Sequence, residues 1–217
     1  MASNSDKVVL AICEEELEEI CKKMQMDYVM TDHKQPTALD RVGETARLLG
    51  YTAYDDVVIN VQGDEPVVPP PVIEFVSKLL QKYPDLGCSN PVEHITDKSE
   101  LDNPHRIKAI LSNNERLIYL SRQPIPSNKF DIDKEATYFR QTCVMAFRGD
   151  FLQLFCTMPQ SNLELVEGID MLRLIQNDYP IASSVIDEAT YPVDVPEDVK
   201  KIEAVLSKDK WVKKYID

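Results

Sequence analysis

Short apolar runs and helical stripes alternate along the first eighty residues of the chain. "VVLAI" (8–12) is a continuous apolar run of strand length. "EEELEEICKKMQM" (14–26) follows and sets Leu17, Ile20, Cys21 and Met24 on one helical stripe, with acids early and lysines late, as the helix dipole favours. "DYVMT" (27–31), "LDRVGETARLLG" (39–50) and "VVINV" (57–61) repeat the alternation, and "PPPVIEFVSKLLQKYP" adds a helix entered through prolines. Strand, helix, strand order predicts an α/β fold with a largely parallel sheet covered on both faces. Further strands are expected at 107–111, 116–120, 137–147 and 181–186. Two late helices are marked by their starts: "SNLE" (161–164) fits a capping box, and "DVPED" (194–198) places a proline and acids in a first turn. No internal repeat, low-complexity tract or linker interrupts the pattern, so residues 1–217 read as a single domain, large enough to bury a real core.

Charge narrows the class of ligand. With 24 Lys and Arg against 37 Asp and Glu, the formal net charge is −13, which opposes a large nucleic-acid footprint and leaves a small molecule or a metal complex as the expected partner. No run of eighteen apolar residues and no charged-then-apolar leader is visible, so a cytoplasmic protein without a membrane partner is expected. The five cysteines are scattered, never in a C-x-x-C pair, and their mostly apolar flanks suit small buried thiols. His33, His94 and His105 form no helical pair and no hydrolase triad order.

The chemistry concentrates in "VVINVQGDEPVVPP" (57–70), where a strand runs straight into a glycine, two acids and a proline. In open α/β sheets ligands bind beyond the carboxyl ends of strands, where the chain leaves the core. Asp64 lies at such an end, with Gly63 giving the backbone freedom to turn and Pro66 keeping the acids out of a helix. A carboxylate there can hold Mg²⁺, which prefers oxygen ligands and bridges protein acids to substrate phosphates; the same spacing also describes a solvated turn.

Taken together, "NVQGDEP", "NPHRIKAIL", "YLSRQPIP", "SNLELVEGIDMLR" and "VDVPEDVKKIEAVL" resemble, in order over about residues 8 to 206, the 3-deoxy-manno-octulosonate cytidylyltransferases, or CMP-Kdo synthetases. The resemblance implies a three-layer sheet fold of the nucleotide-diphospho-sugar transferase type. It implies a Mg²⁺-dependent enzyme that joins CMP from CTP to an acidic eight- or nine-carbon sugar, for lipopolysaccharide or another surface glycan, with pyrophosphate released. By the same resemblance Asp64 and Asp194 fall on the metal-binding aspartates, and a homodimer pairs through an arm around 137–147. Gln62 falls near the sugar or nucleotide. Arg122 falls on an arginine whose planar fork suits a sugar carboxylate. "TALDR" makes Asp40 and Arg41 candidates near the nucleotide, although such a pair also suits a helix start.

Departures from the family pattern bear on the substrate. "FRQTCVMAFR" puts Gln141 where the family has histidine and Met145 and Phe147 where it has aromatic hydroxyls; "IDMLR" shortens an acid to Asp170 and replaces a glutamine by Met171. Loss of hydrogen-bonding groups is expected to weaken recognition of the sugar, or to change it, each good bond being worth about 1 kcal/mol. The family also carries an apolar strand and a basic, glycine-containing triphosphate loop ahead of the strand matching "VVLAI". The chain as given is therefore expected to be amino-terminally incomplete, to leave two strand edges open, and to bind CTP feebly without turnover. A noncatalytic sugar- or metal-binding remnant of the family is the alternative.

Overall fold

The computed structural model describes residues 5–127, 136–188, 190–193, 195–209 and 211. In chain order the elements are β1 (Leu10–Ile12), α1 (Glu15–Met24), β2 (Tyr28–Met30), α2 (Ala38–Leu49), β3 (Val57–Val61), α3 (Pro70–Lys82), β4 (Cys88–Ser89), β5 (Val92–His94), β6 (Lys108–Leu111) and β7 (Leu117–Ser121). Then come β8 (Phe139–Gln141), β9 (Val144–Arg148), α4 (Gly149–Thr157), α5 (Asn162–Glu167), α6 (Leu172–Gln176), β10 (Val185–Ile186) and α7 (Pro196–Leu206).

Local chemistry explains most of the helix ends. Thr37 caps α2 by accepting the Asp40 N–H, and Gly50 closes it at φ 84°, a left-handed conformation that costs glycine little. Ser161 and Glu164 form the expected capping box on α5, and prolines open α3 and α7.

The α/β class stands, and the strand pairing departs from the parallel expectation. The strands form three sheets, β1–β2, β10–β5–β8–β6–β7 and β3–β9–β4. Only β1 with β2 and β10 with β5 run parallel; the other five pairings are antiparallel. The reason lies in two bent segments that pass from one sheet to another. The strand expected over 137–147 breaks into β8 and β9 at Thr142–Cys143, opposite a break between β4 and β5 at Asn90–Pro91. Pro91 has no N–H to give a ladder, and its carbonyl instead takes the Thr142 N–H at 3.2 Å and the Thr142 hydroxyl at 2.9 Å. β9 then runs back between β3 and β4, against the direction that strand and helix alternation in the first eighty residues suggests. Among the described residues β1 pairs only with β2 and β3 only with β9, so each keeps an open edge.

β9 is the middle of the core. Val144 and Ala146 face Val72, Val76 and Leu80 of α3, while Met145 and Phe147 lie in the larger cluster with Leu39, Leu152, Phe155 and Met171. Both faces are covered and both edges are paired, which is why "VMAF" (144–147) reads as an unbroken apolar run. That run was the apolar half of the expected dimerisation arm, and within one chain it is already fully buried. The α1 stripe shows the reverse: Cys21 is buried, but Leu17, Ile20 and Met24 are 41%, 49% and 58% exposed. Among the described residues no helix is long and apolar enough to cross a membrane.

Candidate active site

The carboxyl ends of β1, β2 and β3 supply the first part of the site. Gln62 leaves β3 with its N–H still on the Cys143 carbonyl at 3.3 Å, and a turn closes where the Glu65 N–H reaches the Gln62 carbonyl at 3.1 Å. Asp64 is exposed at the tip of this turn and Glu65 is buried beneath it. Gly63 has ordinary backbone angles, and a Cβ placed there would meet nothing within 4 Å, so the turn itself does not need glycine and the space above it is open. At the end of β2, the Thr31 hydroxyl accepts from Arg41 Nη1 at 2.9 Å. Arg41 also acts on the end of β1, where it opposes the upward push that a hydrogen bond to Glu14 gives the Cys13 thiol. Arg41 thus reaches the ends of two strands.

A second segment is pinned against the Gln62–Glu65 turn. The Val193 N–H donates to the Asp64 carbonyl at 2.8 Å. Three residues earlier, the buried Thr190 hydroxyl donates to Glu93 Oε1 at 3.0 Å and stands 3.4 Å from Glu65 Oε1. Arg140 completes the chain of contacts, its Nη2 lying 2.9 Å from Glu93 Oε1 and donating to the Thr190 carbonyl at 2.9 Å. Glu65 is 5% exposed, and burial lifts its carboxyl to about 7, offset in part by Cys143 and Arg140. Arg140 Nη1 also reaches Glu100 at 4.0 Å, on the wall of a polar cleft of about 330 Å³ that includes Arg106, Asp198 and Lys201. Asp194 lies outside the described residues, between the pinned Val193 and the start of α7.

Other expected site residues do different work. Asp40 is buried, and both its oxygens are held by Arg173, at 2.9 Å and 2.8 Å. Glu164 takes the rest of the same guanidinium through Arg173 Nε at 2.9 Å and Nη2 at 2.6 Å. Asp40 is therefore a structural anchor between α2, α5 and α6 rather than an open ligand for a nucleotide; the other expectation was an Asp40–Arg41 pair at a helix start. Asp170 lies close by, its carboxyl raised to about 6 by burial, with backbone N–H groups of Met171 and Leu39 and the Arg173 charge pulling the other way.

Arg122 spends its fork on backbone. Its Nε donates to the Glu167 carbonyl at 2.6 Å, Nη1 to Pro104 at 2.7 Å and Nη2 to Gly168 at 3.0 Å, which locks the end of α5 to the end of β7. Gln141 turns its amide inward to Asn90 Oδ1 at 2.7 Å, and Asn90 in turn donates to the Thr142 and Val144 carbonyls across the strand break. Met145, Phe147 and Met171, where hydroxyls and an amide were expected to be lost from a pocket, are core residues at 2%, 0% and 0% exposure. Sequence reasoning passed over Arg173, Glu93, Arg140 and Thr190. An arginine flanked by leucines in "MLRLI" was the one visible sign of a buried cation.

Likeness to known proteins extends over most of the chain. Residues 1–184 match the family model described as Cytidylyltransferase. The chain is 33% identical over 208 residues to the 3-deoxy-manno-octulosonate cytidylyltransferase of Polynucleobacter necessarius subsp. necessarius (strain STIR1), covering 95% of this chain and 82% of that protein. It is 31% identical over 207 residues to the mitochondrial 3-deoxy-manno-octulosonate cytidylyltransferase of Arabidopsis thaliana, covering 95% and 70%. A solved CMP:2-keto-3-deoxy-manno-octonic acid synthetase complexed with CTP superposes with a TM-score of 0.83 at 25% identity, covering 95% of this chain and 83% of that one. An α/β scaffold with an acid-bearing turn at a strand's carboxyl end is thus accompanied by likeness over almost the whole chain, and the chain belongs to the 3-deoxy-manno-octulosonate cytidylyltransferases, within the cytidylyltransferase family.

Proposed function

We propose that this chain transfers the cytidylyl group of CTP to the anomeric hydroxyl of an acidic eight- or nine-carbon sugar, 3-deoxy-manno-octulosonate or a close relative, with Mg²⁺. The hydroxyl oxygen bonds to the α-phosphorus, the bond from that phosphorus to the bridging oxygen breaks, pyrophosphate leaves, and the hydroxyl proton passes to solvent. The activated sugar is then available for assembly into a surface glycan. The observation that carries this reading is Asp64, exposed on a turn braced by the Glu65-to-Gln62 bond and by the Val193 N–H.

The residues present fit Mg²⁺. Among the described residues no group of three or more metal-ligating side chains converges. Mg²⁺ commonly needs only one or two carboxylates, taking its remaining oxygens from substrate phosphates and water. Asp64 would be one of these, and Asp194 is proposed as the second. Bound there, Mg²⁺ would neutralise phosphate charge as the leaving group separates. The chain's own part is to orient: Gln62 at the end of β3 and Arg41 at the ends of β1 and β2 are polar groups that can align the substrates. A homodimer is proposed as well, through a surface other than β9, and sedimentation of the protein tests it.

The test of the reaction is pyrophosphate release from CTP, 3-deoxy-manno-octulosonate and Mg²⁺, with controls lacking each component and with a nine-carbon acidic sugar in place of the eight-carbon one. Release by the chain as given should require all three components, and would overturn the sequence-based expectation of feeble CTP binding without turnover. Release that proceeds equally with ATP, or without an acidic sugar, would refute the assignment.

A further inference from the structure

Glu65 is the least comfortable side chain in the site. It is 5% exposed, Oε1 has a long contact of 3.4 Å with the Thr190 hydroxyl, and Oε2 has no hydrogen-bond partner. A carboxyl buried with half its bonding capacity unused costs free energy, and such groups call for an explanation. Its position provides one. Glu65 and Asp64 leave the same turn in opposite senses, one buried and one exposed. Thr190 is only three residues before Val193, whose N–H holds the Asp64 carbonyl. Thr190 is itself held from the far side, its N–H and hydroxyl both on Glu93 and its carbonyl on Arg140.

We propose that Glu65 is a positioning residue: through Thr190 it fixes the 190–193 segment against the Gln62–Glu65 turn and so sets the direction in which Asp64 presents its carboxylate. The proposal rests on the reading of Asp64 as a metal-facing group. Glu65 touches no substrate and acts only through its neighbours. Side chains that orient a metal ligand in this way typically change metal affinity or activity 10- to 100-fold (about one to two decades) when removed.

The experiment compares wild type with Glu65→Ala, Glu65→Gln and Thr190→Val. Mn²⁺ affinity is read by electron paramagnetic resonance, and amide hydrogen exchange is read over a peptide spanning 190–193. Glu65→Ala and Thr190→Val should each weaken Mn²⁺ binding about tenfold and speed exchange at Val193, whereas Glu65→Gln, which keeps a hydrogen-bonding side chain against the Thr190 hydroxyl, should stay near wild type on both. In the pyrophosphate assay, with rates referred to the folded fraction read by circular dichroism, the two deleterious variants should lower kcat per folded molecule and leave KM for CTP within about twofold. The double variant should be no worse than Thr190→Val, which removes the contact with Glu65 together with the hydroxyl's bond to Glu93. Wild-type exchange at Val193 in Glu65→Ala, or a Glu65→Gln protein as impaired as Glu65→Ala, would overturn the proposal. If Glu65→Ala does not fold, Glu65→Leu, which keeps most of the volume and removes the carboxyl, takes its place. A wild type that binds no Mn²⁺ and releases no pyrophosphate would instead defeat the metal reading, while the exchange comparison still judges whether Glu65 anchors the segment.

Discussion

Arg173 holds Asp40 across 133 positions of chain, Nη1 to Oδ1 at 2.9 Å and Nη2 to Oδ2 at 2.8 Å, with Glu164 on its other side and the Phe155 ring 4.1 Å beneath the guanidinium. Arg173 is 1% exposed, so charge, bidentate geometry and ring stacking are all used inside the core. Helices α2, α5 and α6 meet at this one side chain.

Arg173→Met therefore leaves two buried carboxylates without their cation and should destabilise the protein by about 3–5 kcal/mol. Urea denaturation followed by circular dichroism measures it. Adding Asp40→Asn and Glu164→Gln to Arg173→Met should recover part of the loss, since the stranded charges are then gone; no recovery would show that packing, not charge, dominates at this junction.

Asp170 gives the stability a pH dependence. Its carboxyl, normally near 3.8, is raised to about 6 in the folded chain, chiefly by burial. Between roughly pH 4 and 6 the folded state holds this proton and the unfolded state does not, so this group's contribution to stability falls as pH rises through that window. Asp170→Asn removes the titration. Its Tm relative to wild type should rise by a few degrees (about 2–4 °C) from pH 4 to pH 7, as read by thermal melts at each pH. A difference that stays constant across the window would contradict the assignment.

Gly43 on α2 faces α4 so closely that a Cβ would come within 2.1 Å of Cys156 Sγ. Gly43→Ala should cost about 1–3 kcal/mol by overpacking, despite the better helix propensity of alanine. Adding Cys156→Ala clears the space, and the double variant should unfold at a higher denaturant concentration than Gly43→Ala alone. If it does not, the glycine serves something other than close helix contact.

Asp64→Ala should leave stability within about 0.5 kcal/mol, as expected for an exposed turn residue, while abolishing measurable pyrophosphate release. Mn²⁺ titration of wild type, Asp64→Ala and Asp194→Ala tests whether the two aspartates serve one cation. Equal affinity in all three proteins would separate Asp64 and Asp194 from any shared metal role.

Local order was legible in the sequence wherever its cause is local. Helix starts at Ser161 and Pro196, the apolar run of β3 and the acid-bearing turn after it follow from capping chemistry, side-chain periodicity and the breaker Pro66. The short strands β4 and β5 escaped notice, because two or three residues carry no period to read. So did the helices α4 and α6, whose limits depend on what packs against them.

What the tertiary structure decided is which of the polar residues are available for chemistry. Asp40, Arg122 and Gln141 are the same residue types in sequence whether they meet a ligand or the protein. Here Asp40 meets Arg173, Arg122 meets backbone carbonyls from two other segments, and Gln141 meets Asn90, all contacts between positions far apart in the chain. Likewise "VMAFR" announces burial but not what buries it; only the insertion of β9 between β3 and β4 makes it core instead of an interface. A polar side chain's role depends on its partners, and partners brought together by chain reversal across fifty to more than a hundred residues leave no periodic trace in the sequence. Asp64 is the counterexample: its exposure follows from a turn a few residues long, and the turn was readable.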